Sequence, residues 1–172
     1  MNGKDRKMGE VRVEFTGVRL RVISMTPKAF IEMMRVLTTT FGTAGLTMFF
    51  HMGREKGIHD SSEVIEALRR EGVYTKRRLL EAVMDRSRVL GWGASRLVKY
   101  DEGRGTVTIR IENNPIAKYC NTPGEPICYF LRGYWTGVVS EALEQELACE
   151  EARCTDRKNL CCEFIIGRGR RR

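Results

Sequence analysis

The chain has 172 residues, a formal net charge of +8, 42% hydrophobic and 30% charged residues, and six cysteines against two histidines. That length suits one ordinary domain, and a domain of this size buries about 70% of its unfolded surface, so a core can form without covalent staples. The apolar share excludes a disordered chain, and two histidines exclude a histidine-rich metal centre.

In chain order, residues 1–10 read as a flexible basic amino terminus. Met1 to Met8 are polar and charged, so no secretory leader is expected and the protein is read as cytoplasmic. Thiolate–metal or plain thiol chemistry is then favoured over disulfides. Alternation over 11–15 and 18–23 predicts two strands around Thr16-Gly17. Thr26 as N-cap and Pro27 at the first helical position open a long helix. Its apolar stripe is Phe30, Met34, Leu37, Phe41, Ala44, Met48 and Met52, in steps of three and four. The eighteen residues between Arg35 and Arg54 carry no formal charge, the lower limit of a membrane span. Thr38, Thr39, Thr40, Thr43, Thr47 and His51 make the stretch too polar for that. A buried helix, or one lining a cavity, is expected, with Gly42 and Gly45 admitting a close neighbour.

A shorter helix follows, capped by Asp60 or Ser61 with Glu63 completing a capping box, and ended by Gly72. A third helix is predicted over 75–90, closed by Gly91. A hairpin over 94–100 and 106–112 ends at Asn113-Asn114-Pro115. The next major helix covers about 127–146, with Ile127, Leu131, Tyr134, Val138 and Ala142 inward and Gly133 and Gly137 allowing close approach. A last hairpin spans 147–154 and 160–166. This order implies an α+β domain, an antiparallel sheet with helices mainly on one face, over residues 11–166, followed by a basic tail at 167–172. The tail carries net +4 and residues 1–7 net +2, which leaves only +2 on the body. Nucleic acid is therefore expected to bind only non-specifically, through the tails.

Four cysteines, Cys149, Cys154, Cys161 and Cys162, fall in the last hairpin, and Cys154 and Cys162 flank its turn. Cys128 stands in the first turn of the preceding helix, where the macrodipole favours a thiolate. Spacing alone leaves a zinc site, plain buried thiols and disulfides all open.

Three stretches carry a resemblance: Gly53-Arg54-Glu55-Lys56-Gly57; Phe130-Leu131-Arg132-Gly133-Tyr134-Trp135-Thr136-Gly137; and Glu151-Ala152-Arg153-Cys154 with Cys162-Glu163-Phe164-Ile165. Together they resemble the four-vinyl-reductase domain, a small-molecule-binding module. It is related to the ligand domains of phenol- and xylene-responsive bacterial activators and similar in fold to TRAPP vesicle-tethering subunits and haem–nitric-oxide-binding domains. The resemblance covers most of residues 20–166. In the aromatic-sensing members a structural zinc is held by three cysteines and a glutamate. Cys128, Glu151, Cys154 and Cys162 reproduce those intervals, 23, 3 and 8 residues. Strand parity objects, because Glu150 rather than Glu151 shares a face with Cys154 in a flat strand. A twist or bulge must bring Glu151 round, and Glu150 and Cys161 are the rival ligands. Cys120 and Cys149 read as loop and core thiols.

The family's ligand cavity lies between helices and sheet. Mapped onto this chain, its walls are drawn from Phe41, Phe49, His51, Trp92, Phe130 and Tyr134. Such walls suit a hydrophobic or aromatic molecule. The expected function is a sensor or carrier for that molecule with a structural zinc, working as a homodimer and signalling through a partner protein. The alternatives are a component of vinyl-tetrapyrrole reduction or a dimeric adaptor without ligand. No dinucleotide fingerprint and no Ser/His/Asp set is present, so no catalytic residue is assigned.

Overall fold

Thr26 accepts a hydrogen bond from the Ala29 N–H at 3.2 Å, and Pro27 follows it as the first residue of helix α1, Pro27–Phe41. The computed structural model describes residues 11–15, 18–119, 128–154 and 161–169. Before α1 stand β1 (Val11–Phe15) and β2 (Val18–Val22), an antiparallel pair. After it come α2 (Thr43–Arg70), α3 (Lys76–Val89), β3 (Ala94–Asp101) and β4 (Thr106–Glu112). A short 3₁₀ turn at Ala117–Tyr119, α4 (Tyr129–Leu143), β5 (Ala148–Cys154) and β6 (Cys162–Gly167) complete the order. Thr75, the first residue of the helix expected over 75–90, stands one position outside it and caps α3 by accepting from Arg78 N–H at 3.0 Å. The expected segments 1–10 and 170–172 lie outside the described residues, as do Ile127 and Cys120.

Three sequence expectations about the helices are corrected. The long helix does not run from Pro27 past Met52. It breaks at Gly42, whose φ of +59° is open to glycine and strained for other residues. Thr38 and Thr39 lead into the break with hydroxyls turned back onto the Met34 and Arg35 carbonyls. Nor does a new helix start at Asp60 or Ser61. Both lie buried inside the 28-residue α2, where Ser61 Oγ donates to the Gly57 carbonyl at 2.8 Å. The predicted stripe fails at the same place. Phe30, Met34 and Leu37 face the interior, whereas Phe41, Ala44, Met48 and Met52 are exposed. The buried line of α2 is Gly45, Phe49, Gly53, Gly57 and then Asp60, Val64 and Leu68. Hydrophobic periodicity scores glycine as neutral, so a face built partly of glycines is displaced onto its methionine neighbours.

The fold is α+β. Four strands form one antiparallel sheet in the order β3-β4-β6-β5, and β1-β2 forms a separate pair. On β6 Cys162, Phe164 and Ile166 are buried and alternate with Glu163 and Ile165. On the other face Arg110 of β4 holds Glu163 with Nε at 2.9 Å and Nη2 at 2.6 Å. The core lies between the buried face of the sheet and the helices, filled by Leu79, Leu80, Val83, Ile109, Trp135 and Phe164.

Helices α2 and α4 approach to backbone contact. A Cβ added to Gly53 would lie 2.0 Å from the Phe130 carbonyl oxygen, and one on Gly57 would lie 2.1 Å from that of Tyr134. Reciprocally, Cβ atoms on Gly133 and Gly137 would lie 1.9 Å and 2.3 Å from the Phe50 and Arg54 carbonyl oxygens. Each glycine costs about 1 kcal/mol of helix propensity against alanine. The close crossing recovers it in dispersion and Cα–H···O contact. Gly133→Ala is therefore expected to destabilise the fold by about 3 kcal/mol, against the propensity gain. Gly103→Ala, whose Cβ would meet only Asp101 Oδ1 at 3.8 Å, is expected to change stability by less than about 1 kcal/mol. Denaturant unfolding of the two variants checks the contrast.

Candidate functional site

Two of the cysteines, Cys128 and Cys162, meet. Cys128 precedes the first turn of α4 and Cys162 opens β6; both are buried, with sulfurs 3.5 Å apart. Asn114, fully buried just beyond β4, donates from Nδ2 to Cys162 Sγ at 3.2 Å and to Cys128 Sγ at 3.5 Å. Its Oδ1 accepts from the Ile116 N–H at 3.0 Å. In the β5–β6 register Cys154 stands opposite Cys162 and Glu151 opposite Phe164. The register shifts between Glu151 and Arg153, so that Arg153 is opposite Glu163. A bulge at this point is the device strand parity demands: Glu151 and Cys154 both hold positions opposite inward-facing residues of β6. The rival Glu150 is exposed and opposite Ile165, on the outer face, and Cys161 is half-buried. Cys149 is buried, and its carbonyl accepts from Arg132 Nη2 at 3.1 Å.

Cysteine sulfur is a donor type that suits zinc, and of the four expected ligands the described side chains are those of Cys128 and Cys162. With Zn–S bonds of about 2.3 Å, two sulfurs on a tetrahedral ion stand about 3.8 Å apart, close to the observed 3.5 Å. A disulfide requires about 2.05 Å. A second cluster, His59, Asp60 and Glu63, is a poorer donor set, because Lys56 and Arg86 already engage Asp60.

A second convergence is aromatic. Phe30 of α1, Phe49 of α2, Phe130 of α4 and Trp92 in the turn before β3 form one cluster. Phe30 meets Phe49, Trp92 and Phe130 edge-on at centroid distances of 5.5, 5.4 and 5.1 Å, and Trp92 stacks on Phe130 at 5.2 Å and 19°. Three of the six candidate wall residues, Phe49, Trp92 and Phe130, thus come together. Phe30 joins them; in the sequence it belongs to the helix stripe alone, and its place four residues after the Thr26 cap is the only signal there. Phe41, in the last turn of α1, and His51 are exposed and stand apart from the cluster; His51 meets Phe50 edge-on at 5.6 Å.

Tyr134 lies one turn beyond Phe130 and serves a different group. Its hydroxyl donates to Asp60 Oδ2 at 3.0 Å. Arg86 Nη2 reaches Asp60 Oδ1 at 3.1 Å and Glu63 Oε2 at 2.6 Å, and Lys56 Nζ also bonds Asp60. Burial first, then the Asp60 charge, pushes the Tyr134 hydroxyl well above its usual range, so it remains a donor at neutral pH. The sequence offers Lys56 and Asp60 at helical spacing, but not the Arg86 that joins them from α3.

An open groove of about 420 Å³ lined by Arg54, Ser140, Glu141, Glu144, Gln145 and Glu146 shares no residue with either convergence. Among the described residues, no helix is long and apolar enough to cross a membrane.

Residues 107–168, from β4 through β6, match the family model of the four-vinyl-reductase domain. The match contains Cys128, Glu151, Cys154, Cys162 and Asn114, and bears out the expected resemblance over that part of the chain. The fold is similar to the phenol-responsive sensory domain of the transcription activator PoxR, solved with phenol. Identity is 18%, over 96% of this chain and 83% of that one, with a TM-score of 0.76. It is also similar to subunit 3 of the trafficking protein particle complex from Naegleria fowleri, covalently bound to palmitic acid. There identity is 12%, coverage 82% and 91%, and the TM-score 0.59. A Cs H-NOX protein aligns at 13% identity over 87% of this chain and 77% of its own, with a TM-score of 0.54. No curated protein matches the chain. At these identities the likeness is one of fold.

Proposed function

We propose that this chain, whose carboxyl-terminal part matches the four-vinyl-reductase domain, is a binding domain for a small hydrophobic molecule, preferably aromatic, taken up among Phe30, Phe49, Trp92 and Phe130. The observation that carries the reading is the convergence of four rings from four separate segments. Aromatic faces and edges offer stacked and T-shaped partners to a flat apolar guest. None of the four residues carries an ionisable group, so selectivity rests on shape and π contact. The phenol bound by the PoxR sensory domain, which shares the fold, makes phenol the first probe. Titration with phenol or toluene is expected to change Trp92 fluorescence, and Phe130→Ala to weaken binding about tenfold, near 1.4 kcal/mol. An unchanged emission spectrum up to millimolar ligand overturns the reading.

Zinc bound by Cys128, Glu151, Cys154 and Cys162 is the second element of the proposal. The 3.5 Å sulfur pair, the Cys154–Cys162 register and the register shift after Glu151 support it. A closed site of three thiolates and a carboxylate leaves no position for substrate, and its contribution is folding energy. These residues would tie the β5–β6 hairpin to the start of α4. We expect one zinc per chain, and Cys154→Ser to lose the metal and lower the melting temperature by about 10 °C or more, on the order of several kcal/mol. A Cys154→Ser protein with unaltered metal content and melting sinks the assignment.

The domain is further read as a cytoplasmic homodimer that passes its ligand state to a partner protein. Met33, Val36, Phe41, Met48 and Met52 are exposed along α1 and the first half of α2, and residues 36–53 carry no formal charge. An apolar surface of this kind favours self-association. Sedimentation equilibrium should return twice the chain mass, with the Val36→Glu/Met48→Glu protein as a folded monomer. A wild-type chain that stays monomeric at tens of micromolar contradicts the dimer.

A further inference from the structure

We infer that Asn114 is the positioning residue of the sulfur site, its side-chain amide holding Cys128 and Cys162 together as a pair of metal-ligating thiolates. The inference rests on the zinc reading above and adds to it a residue outside the four ligands.

The geometry begins with the backbone. Asn113 adopts a φ of +54°, which turns the chain sharply out of β4. Asn114 follows, fully buried, and Pro115 after it prevents the chain from continuing as a strand. The carboxamide is oriented at one end, where Oδ1 accepts from the Ile116 N–H at 3.0 Å. With the oxygen so engaged, both donors of Nδ2 face sulfur: Cys162 Sγ at 3.2 Å and Cys128 Sγ at 3.5 Å. A simple turn asparagine needs only the first of these bonds.

The choice of acceptors is informative. A thiol sulfur is a weak acceptor, and a fully buried amide that spent both N–H groups on thiols would recover little of its desolvation cost. Ionised sulfur is a far better acceptor. Three thiolates and one carboxylate around a divalent ion also carry more negative charge than the ion cancels. Uncharged N–H dipoles aimed at the sulfurs offset the excess without adding a competing cation. Partners of this kind orient metal ligands, and their removal costs about 10–100-fold in metal affinity.

The test separates this role from a purely structural one. Asn114→Asp retains the acceptor for Ile116 N–H and removes both donors. Under chelator competition it is expected to release zinc about 10–100-fold more readily than the unmodified chain. Its cobalt-loaded form is expected to show the sulfur-to-cobalt charge-transfer band at lower energy, because the sulfurs become more electron-rich. Asn114→Gln, which restores a donor amide, should recover part of both effects. A measurement on the unmodified chain stands independently of any variant's folding: loaded with cadmium-113, it should show scalar coupling between the Asn114 side-chain protons and the metal through sulfur. Metal uptake with no such coupling, or unchanged affinity and spectrum in a folded Asn114→Asp, overturns the role of Asn114 and leaves the zinc site intact. A chain that takes up no metal overturns the zinc site and the inference together.

Discussion

The contact on which the rest depends is the glycine crossing of α2 and α4. Four carbonyl oxygens, those of Phe50, Arg54, Phe130 and Tyr134, occupy space that a Cβ would claim. Backbones this close leave no freedom to slide or rotate, because every displacement drives a carbonyl into a Cα. The crossing therefore fixes the phase of both helices at once. It brings Phe49 and Phe130 to within 6.5 Å of each other, and one turn further it sets Tyr134 against Asp60. Side chains of ordinary size at the four positions would hold the helices about 8–10 Å apart, and neither meeting would occur.

Helix α4 links the two convergences. Cys128 immediately precedes it and Phe130 lies in its first turn, so the sulfur pair and the aromatic cluster are anchored two residues apart. The sulfur side is closed by the sheet through Cys162. The aromatic side is closed by α1 through Phe30 and by the α3–β3 turn through Trp92. Each needs elements that are distant in sequence, and each meets them at the amino-terminal end of the same helix.

The Asp60 group answers a different demand. A carboxylate this deeply buried is costly unless charge and hydrogen bonds surround it. Arg86, Lys56 and the Tyr134 hydroxyl supply them. The four residues come from α2, α3 and α4, which ties the third helix to the crossing. Tyr134 thus spends its hydroxyl on the buried Asp60 carboxylate.

Local chemistry was written in the sequence by itself. The Thr26-Pro27 cap, the positions of the strands, the two hairpins and the α+β order all follow from interactions within a few residues. The intervals of 23, 3 and 8 residues among Cys128, Glu151, Cys154 and Cys162 took their meaning from the family resemblance, which also raised the need for a bulge beside Glu151. What only the tertiary structure decided depends on partners far along the chain. Gly42 ends a helix and Gly53 and Gly57 build one, and only the neighbour each one meets, open space or the α4 backbone, tells them apart. The meeting of Phe30 with Trp92 and Phe130, the Arg86 that compensates Asp60, and the Asn114 amide between two sulfurs share that origin. Periodicity reports which face of an element is apolar. It carries no information on how closely two faces approach, and in this protein the approach of two helices sets the geometry of the aromatic cluster.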